Sequence, residues 1–130
     1  MMNMINNNEL QNAIATAAQS CGWSVSFEES ENTMLASFQY KGSLDSSLEG
    51  IQFQAQGESY NEIVPNAMTM LLFFDYNKYV SEEMHRESSL YPVWRTSAGR
   101  RYLRRKIYRQ ADEIEEKSRS LADALKKIAC

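Results

Sequence analysis

Three short stretches of alternating hydrophobicity, enclosed on both sides by helical spacing, constrain this chain more than any other feature. Trp23, Val25 and Phe27 alternate with Ser24, Ser26 and Glu28; Met34, Ala36, Phe38 and Tyr40 share one face; Ile51, Phe53 and Ala55 oppose Gln52, Gln54 and Gln56. A period of two belongs to half-buried strands, and three such strands in close succession read as an antiparallel sheet. Glu29 to Asn32 supplies the first turn. Lys41 to Gly50, containing Ser and Gly, reads as a hairpin loop too polar for the core, with a mobile tip.

Helical periodicity flanks this unit. Leu10, Ile14 and Ala17 or Ala18 recur near every 3.6 residues, with Asn7 or Asn8 as the N-cap and Gly22 as the stop. After Gly57, Ser59 and Glu62 stand as a capping box before the apolar surface of Tyr60, Ile63, Val64, Ala67, Met68, Leu71 and Leu72. Pro65 either delays that helix or bends it. Asp75 and Asn77 end it and cap another, roughly Lys78 to Arg86, while Ser88 to Trp94 with Pro92 reads as a connection. Ile107, Ala111, Ile114, Ser118, Leu121, Leu125 and Ile128 alternate spacings of four and three. Such a seam packs along its own core or against a partner helix, which leaves a homodimer open.

The expected fold is therefore α+β: a helix, a three-stranded antiparallel sheet, then helices (α-β-β-β-α-α-α), ending in a long amphipathic helix. At 130 residues the chain fits a single domain able to bury a core without covalent staples. We divide it into a flexible terminus (1–7), an acidic body (8–93) and a basic arm with the C-terminal helix (94–130).

That division follows the charge. Up to residue 93, Lys41, Lys78 and Arg86 face twelve carboxylates, a balance of −9; beyond it, eleven Lys and Arg face five carboxylates, a balance of +6. The overall net charge of −3 hides this asymmetry, which bears on partners and association rates. Arg95, Arg100, Arg101, Arg104, Arg105, Lys106 and Arg109 concentrate the positive charge, and the arginine fork suits phosphate or carboxylate. On a helix, Arg100 and Arg104 flank the Leu103 and Ile107 stripe, whereas Arg101, Arg105 and Arg109 cover the outer face beside Tyr102 and Tyr108. The bland alternative is a solvated helix paired with its own acidic body. The sheet face opposite the core, with Ser24, Ser26, Ser37, Gln39, Gln52, Gln54 and Gln56, is polar and almost uncharged, and suits water foremost or a partner held by hydrogen bonds, with an edge strand open to another chain.

Catalytic chemistry finds little footing. His85 is the only histidine, no Gly-x-Ser-x-Gly turn marks a nucleophile, and the glycines form no phosphate-cradling pattern, so no nucleotide cofactor is implied. Adjacent carboxylates such as Glu28 and Glu29, Glu82 and Glu83, or Glu115 and Glu116 diverge rather than converge. Cys21 and Cys130, far apart and without companion histidines, suggest neither a zinc site nor a disulfide; Cys21 reads as a small buried hydrophobe and Cys130 as exposed and oxidisable. Met1 to Asn8 lacks the pattern of a signal peptide, and the longest apolar run, Ala67 to Phe74, falls short of the roughly 20 residues that span a bilayer. A cytoplasmic protein without a membrane role or a cofactor is expected.

In topology, residues 8–74 resemble a double-stranded-RNA-binding domain. That family opens its second helix with a lysine cluster, and here the matching stretch is the acidic Gly57-Glu58-Ser59-Tyr60-Asn61-Glu62, so the likeness ends at topology. Gly22-Trp23-Ser24-Val25, Phe73-Phe74-Asp75, Ala111-Asp112-Glu113-Ile114 and Leu121-Ala122-Asp123-Ala124-Leu125 resemble small uncharacterised proteins of gut bacteria, their phages and mobile elements. That resemblance implies a mobile-element accessory protein. The expected function is a non-enzymatic binding protein, an anti-CRISPR-like inhibitor that occupies a nucleic-acid-binding or assembly surface of a host defence nucleoprotein. Glu58, Glu62, Glu82 and Glu83 would imitate a phosphate backbone toward that protein partner, and Arg100, Arg101, Arg104, Arg105, Lys106 and Arg109 would add contacts. The alternative is a nucleic-acid-binding accessory factor that uses the basic segment 95–109 directly.

Overall fold

The computed structural model describes residues 7–42 and 48–129; of the start expected to be flexible, 1–7, all but Asn7 lies outside them, as do the tip of the long hairpin loop and Cys130. Helix α1 (Asn7–Ser20) already contains both asparagines expected as its cap. It ends as expected at Gly22, whose φ of 83° lies in the left-handed region that glycine enters without strain. The Gly22 N–H donates to the Gln19 carbonyl at 3.1 Å and the Trp23 N–H to that of Ala18 at 2.8 Å, the paired bonds of a Schellman cap.

Strands β1 (Ser24–Ser30), β2 (Thr33–Tyr40) and β3 (Ile51–Gly57) form an antiparallel sheet with β2 in the centre. The first turn is shorter than expected. Ser30 pairs with Thr33, leaving only Glu31 and Asn32 to reverse the chain, and Asn32 takes a φ of 59° that asparagine tolerates. Register brings Phe38 opposite Val25 on one side and Phe53 on the other, and the Phe38 and Phe53 rings stack with centroids 5.0 Å apart. On the reverse face Ser24, Ser26, Gln52, Gln54 and Gln56 are exposed. The loop before β3 is less polar in its burial than in its composition: Leu48 is only 4 % exposed and joins the core, against expectation.

Helix α2 (Tyr60–Leu72) lies on β3, and α1 on β1. Neither bond of the expected capping box is made. Ser59 occupies the N-cap without a side-chain bond, and Glu62 instead reaches the Glu58 N–H at 2.8 Å. The helix continues through Pro65. Proline there deprives the Asn61 carbonyl of its helical donor, a loss kept small because Asn61 and Pro65 both face solvent. Leu72, expected on the apolar face, is 66 % exposed.

Helix α3 (Tyr76–Leu90) begins at Asp75, whose carboxylate accepts the Lys78 N–H at 3.0 Å. It runs four residues beyond the expected end at Arg86 and stops only where Pro92 forces the preceding Tyr91 into an extended conformation. A single 3-10 turn, Pro92–Arg95, then leads into α4 (Ser97–Ala129). With 33 residues, α4 is about 50 Å long. Its seam of Leu103, Ile107, Ala111, Ile114, Ser118, Leu121 and Leu125 is buried, packed within the chain against α2, α3 and α1. Trp23 ties the sheet to it through an indole N–H that donates to the Lys117 carbonyl at 3.2 Å.

Candidate functional site

The basic half of α4 is launched by Thr96. Its hydroxyl oxygen accepts the Gly99 N–H at 3.0 Å, and its carbonyl accepts the Arg100 N–H at 2.8 Å, a side-chain cap followed by the first helical bond. Gly99 is required by proximity: a Cβ there would stand 2.0 Å from the Val93 carbonyl oxygen in the 3-10 turn.

From this start the helix presents three rows. Arg101, Arg105 and Arg109 form the outer one, all exposed. Arg100, Arg104 and Tyr108 form a second row that turns toward α3 and lines a trough with it. On the opposite flank, the Lys106 ammonium lies 5.7 Å from the Trp94 ring centroid and 5.2 Å from that of Tyr102, and these two rings stack at 5.9 Å. Lys106, expected among the contact cations, is thus half-buried over aromatic faces, whereas the five arginines are exposed.

None of Arg100, Arg101, Arg104, Arg105 and Arg109 makes an ion pair or a side-chain hydrogen bond among the described residues. The sign of the helix reverses at Asp112, about 12 Å along the axis from Arg104 and about 18 Å from Arg100, beyond a Debye length of about 8 Å in physiological salt, but only about 4.5 Å from Arg109. Asp112 itself accepts a hydrogen bond from the Tyr76 hydroxyl at 2.7 Å. Burial, then that hydrogen bond, pushes the Tyr76 phenol up to about 12.

The expected acidic surface divides differently. Glu58, Glu62 and Glu82 are exposed, the last within 4.0 Å of Lys78. Glu83 is a correction: it is 4 % exposed, on the inward face of α3 with Tyr79, Val80 and Glu87. Its carboxylate accepts from Arg86 Nε at 3.1 Å, Arg86 Nη2 at 2.9 Å and the Glu49 N–H at 3.1 Å. Glu87, 1 % exposed, lies 3.9 Å from the same guanidinium, and the hydrogen bonds to Glu83 hold Arg86 firmly protonated. Tyr79 donates to the Glu49 carbonyl above this cluster, and burial drives its phenol well above the usual tyrosine range. Glu83 and Arg86, three residues apart on one helix, were readable as neighbours, but that spacing does not tell which side of the helix is buried.

Sequence reasoning missed the α3 side of the trough. Ser81, His85 and Ser88 line it opposite Arg100 and Arg104. His85 is exposed there. Among the described residues no group of three or more His, Cys, Asp and Glu side chains is placed to hold a metal ion, and no helix is long and apolar enough to cross a membrane. Cys21 is half-buried, with its sulfur 3.8 Å from the Ser20 hydroxyl oxygen. No protein-family model matches the chain, and neither a curated protein nor a solved structure does.

Proposed function

We propose that this protein is a non-enzymatic binding protein that grips the phosphate backbone of a nucleic acid with the arginine face of α4. The observation that carries this reading is the set of five exposed arginines, Arg100, Arg101, Arg104, Arg105 and Arg109, with no carboxylate partner among the described residues. Planar guanidinium forks bind phosphate oxygens in pairs, and cations held by no internal partner give up no ion pair when phosphate arrives. The net charge of −3 does not oppose this, because contact is made by one helix half, and residues 97–111 of that helix contain no acid.

A carboxylate face that imitates nucleic acid toward a host defence nucleoprotein has weaker support. Glu83 is buried on Arg86, Glu62 gives an oxygen to the Glu58 N–H, and Glu82 has Lys78 beside it. The two readings part in a gel-shift assay with random-sequence DNA and RNA. Retardation is expected near 50 mM salt, with affinity falling on the order of a hundredfold by about 200 mM, as five phosphate contacts require. Arg101→Ala, Arg104→Ala and Arg105→Ala combined should abolish the shift. No retardation at the lower salt would overturn the proposal and return the inhibitor reading to first place.

A further inference from the structure

The outer arginine row and the trough beside it are different surfaces. Arg101, Arg105 and Arg109 stand on a convex ridge, where the backbone of any nucleic acid can lie against them. Arg100 and Arg104 instead share a shallow trough of about 520 Å³ with Tyr108 and the α3 residues Ser81, His85 and Ser88. No carboxylate among the described residues lines it. Its floor is apolar, made by Val80 and Met84.

Tyr108 closes one end as a fixed ring. It is 42 % exposed, yet stacks on Tyr76 with centroids 6.1 Å apart and planes at 28°, while the Tyr76 hydroxyl is anchored on Asp112 at 2.7 Å. Arg100 to Tyr108 spans about 12 Å of helix axis, with the guanidiniums four residues apart and the aromatic face four residues further. Cations for phosphate, hydroxyl and imidazole groups for hydrogen bonds, and an aromatic and apolar surface for a base make the combination by which single strands are held. A duplex keeps its bases stacked inside and cannot offer one to Tyr108.

We infer that the α3–α4 trough is a binding site for single-stranded nucleic acid, with backbone phosphates on Arg100 and Arg104 and a base stacked on Tyr108. This rests on the proposed function and narrows it, since the outer row alone would accept single strand and duplex alike.

Fluorescence anisotropy with a labelled oligothymidylate of twelve nucleotides and a twelve-base-pair duplex tests it. The single strand should bind at least tenfold more tightly. Ser81→Glu, an exposed position, brings a carboxylate into the trough and should weaken single-strand binding at least tenfold while changing duplex binding less than twofold. Tyr108→Leu should weaken single-strand binding at least fivefold, the loss of one base stack. Retained duplex binding certifies the fold of both variants. Equal affinity for the two oligonucleotides, or single-strand binding untouched by both substitutions, overturns the trough site and leaves the proposed function standing. Thymidine monophosphate displacing the oligomer at equal concentration reassigns the trough to a small phosphate ligand, which also overturns it. Binding of neither oligonucleotide removes both proposals.

Discussion

Four carboxylates of this protein and the five arginines between Arg100 and Arg109 are treated in opposite ways by the fold. Glu83 holds Arg86, Asp112 accepts from Tyr76, Glu29 from Tyr60 at 2.9 Å, and Glu113 meets the Tyr40 hydroxyl. Burial and these carboxylates push all three phenols upward. Arg100, Arg101, Arg104, Arg105 and Arg109 have no such partners among the described residues, whereas Arg119 further along the same helix pairs with Glu115 at 3.2 Å. These four carboxylates are thus drawn into structure, three of them by tyrosines, while the five arginines of the first half of α4 are left to the surface. A charge run tells how many charges a segment carries; the fold decides which of them are available.

The largest effect should come from removing the half-buried cation. Arg86→Met takes the guanidinium away from the buried Glu83 and Glu87, and urea unfolding should show a loss of about 3–5 kcal/mol. Adding Glu83→Gln should restore part of it. A loss below about 1 kcal/mol would mean that Glu83 sits in water and that the contrast between the two regions is false.

The tyrosine pairs come next. Tyr76→Phe removes a hydrogen bond to a charged acceptor and should cost about 1 kcal/mol near neutral pH. The Tyr76 phenol lies above its unfolded value of 10 and reaches about 12 in the fold, so its stabilisation is complete below pH 10 and disappears as pH rises through 12. Urea midpoints measured across that window should fall, and fall less steeply in Tyr76→Phe. A midpoint independent of pH there would show the phenol to be solvated.

Smallest of all should be the effect of the outer arginines on stability. Arg101→Ala and Arg105→Ala touch no partner, and each should stay within about 0.5 kcal/mol by urea unfolding. A larger loss from either would mean that the arginine row braces the fold, which would blur the contrast from the other side.

Much of the fold was legible because it follows from local periodicity. The three strands, their shared inner face and the seam of α4 all appear where alternation or a four-three spacing places them. Boundaries failed where local signals compete. β1 ran on past Glu29 because Asn32 alone could take the left-handed turn, and α3 ran past Arg86 because nothing before Pro92 stops a helix. The arginine rows were readable from 100° per residue, since they lie on one helix. Glu83 was misread as outward because the same sequence places a carboxylate on either side of an interface, depending on what packs there.

By itself the sequence determined the element types, the inner sheet face, the stripe of α4 and the segment that carries positive charge, because each depends on residues within a few positions of one another. Only the tertiary structure decided which charges have partners and which surfaces meet. Bringing Ser81 and His85 across from Arg100 and Arg104 depends on α3 folding back along α4 through the turn at Pro92–Arg95. That antiparallel packing joins residues remote in the chain, where hydrophobic burial is satisfied by many registers and only the complete core selects one.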